Sequence, residues 1–135
     1  MACPTYYCWS CYAPAQTASG LCERCGGLIE APPEANYADL LVWALDHPLA
    51  ERRLVAAQAL GKRREARAES RLRELIWTRE DPYLAAAAVQ ALVDIVGRQA
   101  CEDLLTELAR RGPAPVRRTA ADLLSDRDGA RKVAG

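Results

Sequence analysis

The chain has 135 residues, with 18 basic and 18 acidic side chains, so its formal net charge is zero. This balance argues against a dedicated nucleic-acid-binding arm or an acidic tail. The length is enough for one ordinary domain and a small appendage. No basic segment followed by an apolar run marks a signal peptide, and no apolar run approaches the ~18 residues needed to span a membrane. We therefore expect a cytoplasmic protein whose thiols stay reduced.

Four of the six cysteines form two Cys-x-x-Cys pairs, Cys8 with Cys11 and Cys22 with Cys25. Each such turn directs two thiolates at one centre, so together they predict one tetrahedral Zn²⁺ site. All four ligands are thiolates and none is left open to water, which indicates a structural ion. The alternatives are two disulfides or a redox pair. Redox motifs occur as a single pair near a βαβ pattern, which this sequence lacks.

Residues 8–28 resemble the short zinc ribbons of bacterial proteins, in which each Cys-x-x-Cys pair is followed by glycine. The second pair, with Gly26 and Gly27 after it, fits this pattern, whereas Tyr12 stands where glycine is usual after the first. The resemblance implies that the metal holds the ribbon together and that the ribbon contacts another macromolecule. We assign residues 1–29 to this ribbon. Because it is too small to bury a core, about 10 kcal/mol or more of its folding free energy should come from the metal.

A linker, residues 30–36, is stiffened by two adjacent prolines and separates the ribbon from a helical region. The sequence predicts helices over 37–46, 48–61, 66–79, 82–97, 99–111 and 114–126, followed by a tail over 127–135. Small and apolar residues recur in these helices every 32 residues, as in the sets Ala56, Ala88, Ala120; Leu60, Leu92, Leu124; Leu40, Leu72, Leu104; and Ala44, Ile76, Leu108. A fixed period of this length predicts stacked helical hairpins.

Residues 37–126 resemble HEAT repeats of the short kind first named from phycobilisome lyases. Their first helix opens with Asp-Pro-x-Val-Arg and contains Ala-x-x-Ala-Leu-Gly, and parts of this motif occur at Asp81-Pro82, Pro115-Val116-Arg117 and Ala59-Leu60-Gly61. The resemblance implies an all-α fold, a short solenoid that supplies a binding surface. The register predicts a buried core that comprises Ala56, Ala59, Leu60, Leu72, Ile76, Ala88, Leu92, Leu104 and Leu108.

The boundaries of these helices carry their own signals. Asp81 is placed to cap the helix that Pro82 opens, and Pro48 suits a first helical turn. Glycines are expected to mark helix ends at Gly61, Gly97 and Gly112.

The sequence offers no constellation for catalysis. His47 is the only histidine, so a histidine-based metal centre is impossible, and we expect it to cap a turn or face solvent. There is no nucleophile elbow and no phosphate-binding glycine loop. Of the two remaining cysteines, Cys101 lies on an apolar stripe and should be a core residue, while Cys3 is a spare thiol. We predict that the protein is not an enzyme.

Charge is unevenly distributed along the helical region. The segment from Arg52 to Arg79 contains nine basic and three acidic residues. Within it Arg67, Arg71 and Trp77 lie outside the apolar stripe of their helix, and they could form a ridge that binds a partner. The alternative is a solvated face on which nearby glutamates pair with the arginines.

Three functional hypotheses follow. The leading one is a non-catalytic adaptor, in which the zinc ribbon and the repeats present a surface to another protein. The alternative is a nucleic-acid-binding protein that uses the ribbon and the basic cluster of residues 52–79. A third, a bilin-lyase-like helper, follows from the repeat resemblance alone, and no free cysteine or histidine is placed for pigment chemistry.

The first predicted helix is apolar nearly all round, because Leu41, Val42 and Leu45 add to the repeat positions Leu40, Trp43 and Ala44. Such a helix must be buried on more than one side. We therefore predict that the ribbon folds back over it as a cap, using residues drawn from Tyr6, Tyr7, Trp9, Tyr12, Leu21, Leu28 and Ile29.

The last predicted helix has no such cover. We expect Val116, Leu123 and Leu124 to leave a partly apolar edge there, open to a second copy of the chain or to another protein.

Overall fold

A computed structural model describes residues 6–78 and 80–134, with side chains described as far as residue 125. The N-terminal part, residues 6–30, contains all four paired cysteines and is called here the cysteine module. It has two short antiparallel strands, β1 (Tyr6–Tyr7) and β2 (Pro14–Ala15). In the described part of the chain six α-helices follow: α1 (Tyr37–Ala44), α2 (Ala50–Lys62), α3 (Glu69–Leu75), α4 (Pro82–Val96), α5 (Arg98–Arg111) and α6 (Ala114–Ala134).

The helices pack in consecutive pairs, α1 with α2, α3 with α4 and α5 with α6. The second helices of the pairs also pack on one another, α2 on α4 and α4 on α6. The predicted all-α stack of helical hairpins is therefore confirmed. None of the helices within the described residues is both long and apolar enough to cross a membrane.

Local signals set where several helices begin. Asn36 caps α1 by accepting the N–H of Asp39, whose carboxylate in turn accepts the N–H of Asn36. Asp81 caps α4 by accepting the N–H of Leu84 at 3.0 Å, with Pro82 at the first helical position, as predicted. Pro48 instead precedes α2, which begins two residues later, and a 3₁₀ turn at Ala66–Ala68 leads into α3.

The 32-residue period holds for the alanines of the second helices but only in part for the first helices. Ala56, Ala88 and Ala120 are all buried at this spacing. Ile76, just after α3, and Leu108 of α5 are also buried 32 residues apart, but the buried leucines of the first helices, Leu41, Leu72 and Leu105, are 31 and 33 residues apart.

The predicted core residue Leu104 and the repeat position Leu40 each lie one residue away from the buried leucine. Leu40 is 41 % exposed, and Leu104 is only partly buried, as is Ala59 of α2. The connections before α3 and α5 differ in length, so each first helix has its own rotation about its axis. The other predicted core residues are buried.

Gly61 lies inside α2 and does not end it. A side chain there would bring a Cβ to 2.7 Å from the Cα of Ala91, which is closer than real Cβ contacts. Gly61 therefore lets α2 and α4 approach closely. Gly97 (φ +92°) does separate α4 from α5, as predicted, and Gly112 follows the last residue of α5.

The C-terminal helix differs from the prediction in two respects. It extends past residue 126 to Ala134, through the segment predicted to be a tail. Val116 and Leu123 are buried and Leu124 is partly buried, so the expected apolar edge is largely covered, because α6 packs on both α4 and α5. Cys101 is a buried core residue as predicted, whereas Cys3 lies outside the described residues.

Candidate metal centre

The first Cys-x-x-Cys pair lies on a tight turn closed by backbone hydrogen bonds. The N–H of Cys8 donates to the carbonyl of Ala13 at 2.9 Å, and the N–H of Tyr12 donates to the carbonyl of Cys8 at 2.8 Å. The N–H of Ser10 points at the Cys8 Sγ at 3.3 Å. The backbone of the turn therefore orients the Cys8 Sγ without the help of a metal.

The second pair repeats this arrangement atom for atom. The N–H of Cys22 donates to the carbonyl of Gly27 at 2.8 Å, and the N–H of Gly26 donates to the carbonyl of Cys22 at 2.9 Å. The N–H of Arg24 points at the Cys22 Sγ at 3.3 Å. Two equivalent turns thus face each other.

Tyr12 and Gly26 occupy the same place in the two turns, and both have a left-handed backbone, with φ of 66° and 76°. The departure from the ribbon pattern at Tyr12 therefore leaves the shape of the turn unchanged. Gly27 serves a different purpose, since a Cβ there would lie 2.9 Å from the Ser10 Oγ. The absence of a side chain at Gly27 therefore leaves room for Ser10 between the two turns.

The four sulfurs of Cys8, Cys11, Cys22 and Cys25 lie within 4.8 Å of one another. The Cys8–Cys25 and Cys11–Cys22 sulfur pairs are each 3.7 Å apart. Four thiolates about 2.3 Å from a tetrahedral Zn²⁺ would be separated by about 3.8 Å, whereas a disulfide requires about 2.05 Å. The cluster therefore fits a tetrahedral metal ion, and the four cysteines are free thiols rather than disulfides.

The electrostatics of the cluster also favour a cation. Hydrogen bonds from the backbone N–H groups of Cys25 and Arg24 lower the pKa of Cys22 to about 7. The N–H of Ala13 acts in the same direction on Cys11, but desolvation and the neighbouring thiols together raise the pKa of Cys11 to about 12. Four thiolates at this distance require a positive charge among them, and an all-sulfur set suits a soft divalent ion such as Zn²⁺.

The cysteine module packs on α1 through aromatic rings. The Trp43 ring stacks on Trp9 at 5.3 Å and on Tyr12 at 4.8 Å between centroids. The Trp43 Nε1–H donates to the carbonyl of Trp9 at 2.7 Å, and the Tyr12 hydroxyl donates to the carbonyl of Trp43 at 2.8 Å. The predicted cap on the first helix is confirmed. Leu21 and Leu28 take no part in it, because they are 71 % and 54 % exposed.

His47 closes the same aromatic cluster from the end of α1. Its ring makes edge-on contacts with Tyr7 at 4.5 Å and with Trp43 at 5.5 Å. The imidazole Nδ1 accepts the N–H of Leu49 at 3.0 Å, so it caps the turn as predicted, but the residue is only 2 % exposed and does not face solvent. Burial first, and the charges of Arg52 and Arg53 second, lower the pKa of His47 below 6.5.

The structure places Arg67 and Arg71 beside carboxylates on and just after α1, and Trp77 along a separate groove. The Arg67 guanidinium lies 2.6 Å from the Asp39 carboxylate, and it also donates to the Asn36 side chain at 2.7 Å. Arg71 forms ion pairs with Glu74, as the solvated-face alternative proposed, and with Asp46 at the end of α1. Sequence reasoning missed these pairs with α1, since each joins residues at least 25 positions apart.

Trp77 has a different setting, beyond the end of α3. It is 59 % exposed and lies along a groove of about 560 Å³ between α3 and α5. Ile76, Leu108 and Pro113 line the same groove, together with Glu107 and Arg111. This is an exposed aromatic ring beside a groove lined by both apolar and charged side chains.

Paired helices whose second members form a continuous layer define a protein of the α-helical repeat class. The sequence profile of the family described as HEAT repeats matches residues 38–125, well over half of the chain. The chain belongs to the HEAT-repeat family. No curated protein and no solved structure matches it.

Proposed function

We propose that this HEAT-repeat protein is a non-catalytic adaptor whose cysteine module holds one structural Zn²⁺ on Cys8, Cys11, Cys22 and Cys25. The sulfur geometry supports the metal, because two equivalent turns place four thiols at tetrahedral spacing. The ion would supply the cross-link between the turns that so small a module cannot obtain from a hydrophobic core. A compartment that keeps thiols reduced, such as the cytoplasm, suits this site.

Elemental analysis of protein purified without added metal tests the zinc site. We expect about one zinc per chain, and we expect Cys22→Ala to lose the metal and unfold the cysteine module while the helices remain folded. Cys101→Ala is the matched control, because its thiol lies in the helical core far from the cluster in sequence. A ratio near zero together with disulfides found by mass spectrometry would reject zinc.

The adaptor role is carried by one observation, the exposed indole of Trp77 beside the groove between α3 and α5. HEAT repeats generally present such surfaces to other proteins, and an exposed tryptophan beside a groove is a typical centre of binding energy. We place the contact with a protein partner there. Arg67 and Arg71, expected to share that contact, would support it indirectly by holding α1 against α3.

A photo-crosslinking amino acid at position 77 tests this assignment. We expect one discrete adduct in cells. The crosslinked protein, once identified, should bind the purified chain, and the Trp77→Ala variant should bind it at least tenfold more weakly. Val55 is the matched control, since it is also 59 % exposed but lines none of the grooves described here. Equal adducts from positions 55 and 77 would contradict a specific surface.

Nucleic-acid binding is the alternative that the structure supports less well. Within the basic segment of residues 52–79, five arginines form ion pairs with acidic side chains: Arg53, Arg63, Arg67, Arg71 and Arg73. Their charge is thus partly neutralised before any phosphate approaches. A gel-shift assay at low salt decides between the adaptor and the nucleic-acid-binding protein, because salt-dependent binding of DNA or RNA would favour the latter.

Self-association through α6 has similarly little support, since Val116 and Leu123 are buried.

A further inference from the structure

A second groove, which we call the module groove, lies between the cysteine module, the linker and α1. Its volume is about 470 Å³, and its lining includes the rings of Trp9, Tyr12 and Trp43 and the carboxylates of Glu34, Asp39 and Asp46. Among the residues that the structure describes, it shares no lining residue with the groove at Trp77.

The charge of the module groove is negative. Three carboxylates line it against one guanidinium, that of Arg67. Arg67 is already held by Asp39 and Asn36, and Asp46 is paired with Arg71 from outside the groove. Within the described residues no hydrogen bond or ion pair engages Glu34, which is exposed on the linker. The groove therefore retains an excess of negative charge, with Glu34 as its unpaired acceptor.

The walls of the groove are suited to a cation as well. The three aromatic side chains are partly buried, so each keeps some accessible surface beside the carboxylates. Aromatic faces attract cations, and arginine in particular combines stacking on a ring with a two-pronged hydrogen bond to a carboxylate.

We propose that the module groove binds an arginine side chain in an exposed basic segment of a protein partner, with the guanidinium between Glu34 and the aromatic wall of Trp9, Tyr12 and Trp43. An acidic peptide or a phosphate backbone would meet the same carboxylates and be repelled. The module groove therefore selects a basic partner, whereas the arginine-rich sequence of residues 52–79 first indicated an acidic one.

The test uses the full chain as purified and three blocked pentapeptides, Ala-x-Ala-x-Ala, with arginine, glutamine or glutamate at both variable positions. The readout is the indole N–H signals in an NMR titration. The arginine peptide should shift the signals of Trp9 and Trp43, which line the groove, and leave that of Trp77 unmoved. Added salt should weaken this binding, and the glutamine and glutamate peptides should produce no shift.

Glu34→Gln should weaken binding of the arginine peptide about two- to fivefold, the range expected for one exposed ion pair. Glu23→Gln is the matched control, because Glu23 is also exposed but lies along a different groove of the module. The proposal is overturned if arginine and glutamine peptides shift the same signals equally, or if neither shifts them up to millimolar concentration. It is also overturned if Glu34→Gln and Glu23→Gln weaken binding to the same extent, since bulk charge would then explain it.

Discussion

Tyr12 shows how one residue can serve two requirements of the fold. Its left-handed backbone, with φ of 66°, costs a non-glycine residue about 1–2 kcal/mol. The equivalent residue in the other turn is glycine, which adopts this conformation freely. Tyr12 offsets the cost by stacking on Trp43 and by donating its hydroxyl hydrogen bond to the Trp43 carbonyl. The strained position is therefore the one that joins the cysteine module to the helices.

His47 is the second residue whose chemistry follows from its burial. Because its pKa is lowered on folding, the unfolded chain binds a proton more readily than the folded chain does. The free energy of unfolding therefore rises with pH across the range in which His47 titrates. His47 contributes its full stabilisation above about pH 6.5, which is the pKa of an unfolded histidine. This stabilisation is lost as the pH falls from that value through the lower pKa of the folded protein.

We expect acidification from pH 8 to pH 5.5 to destabilise the protein more than it destabilises a His47→Asn variant. Asparagine can still accept the N–H of Leu49 but cannot ionise. The measurement is the melting temperature of both proteins across the pH range, with bound zinc followed in parallel because acid also protonates thiolates. Parallel melting curves for the two proteins would show that His47 does not titrate on unfolding.

Among the elements, the second helices and the first helices differ in how closely their buried residues follow the 32-residue period. The helices α2, α4 and α6 pack on each other in one layer, and their alanines keep the strict repeat that close packing needs. The first helices lie outside this layer, although α5 contacts α4 as well as α6, and the connections before them differ in length, so their rotation can change by one residue. The buried position is consequently Leu105 in α5, where the strict period predicts Leu104.

Adjacent leucines in α5 offer a matched test of this register. Leu105→Ala should lower the free energy of unfolding by about 2–5 kcal/mol, because Leu105 is fully buried and its truncation leaves a cavity. Leu104→Ala, at a partly buried position, should cost about 1 kcal/mol. Urea denaturation of both variants measures the difference, and equal losses would restore the strict 32-residue register.

At the scale of the whole molecule, the cysteine module and the helical stack depend on each other. The module has its own small core of Cys8, Ala13, Cys22 and Ile29, and its outer aromatic rings cover Trp43 of α1. The first helix of a stack has no preceding repeat to cover it, so something else must bury its apolar surface. The module fills this role at the N-terminal end, while α6 buries its own apolar residues on α4 and α5 at the other end.

Removal of residues 1–30 tests this dependence. The remaining helices should melt at a lower temperature, by roughly 4–8 °C for each kcal/mol of lost contact, and should self-associate through the bared Trp43 surface. Differential scanning calorimetry and analytical ultracentrifugation measure the two effects. A Trp43→Ser exchange in the truncated chain should reduce the association. A truncated protein that stays monomeric with an unchanged melting temperature would show that the module is not a cap.

The sequence by itself determined the features that depend on local spacing. Two Cys-x-x-Cys pairs predicted one cluster of four thiols, because the geometry of each turn is set within a few residues. The 32-residue period predicted stacked helical hairpins, and the apolar circumference of the first helix predicted that the module must cover it. All three rest on patterns that neighbouring residues create.

Only the tertiary structure decided how distant residues meet. The rotation of α1 and α5 depends on how each helix packs on its partner, which no local pattern records. The sequence placed Arg67 and Arg71 on an exposed face, either as part of a partner-binding ridge or paired with nearby glutamates. In the structure Arg67 pairs with Asp39 of α1 and Arg71 with Asp46 just after α1, each more than 20 residues earlier in the chain. The negative sign of the module groove follows from those pairings together with Glu34, because electrostatic potential depends on distances in space rather than on charge counts along the sequence.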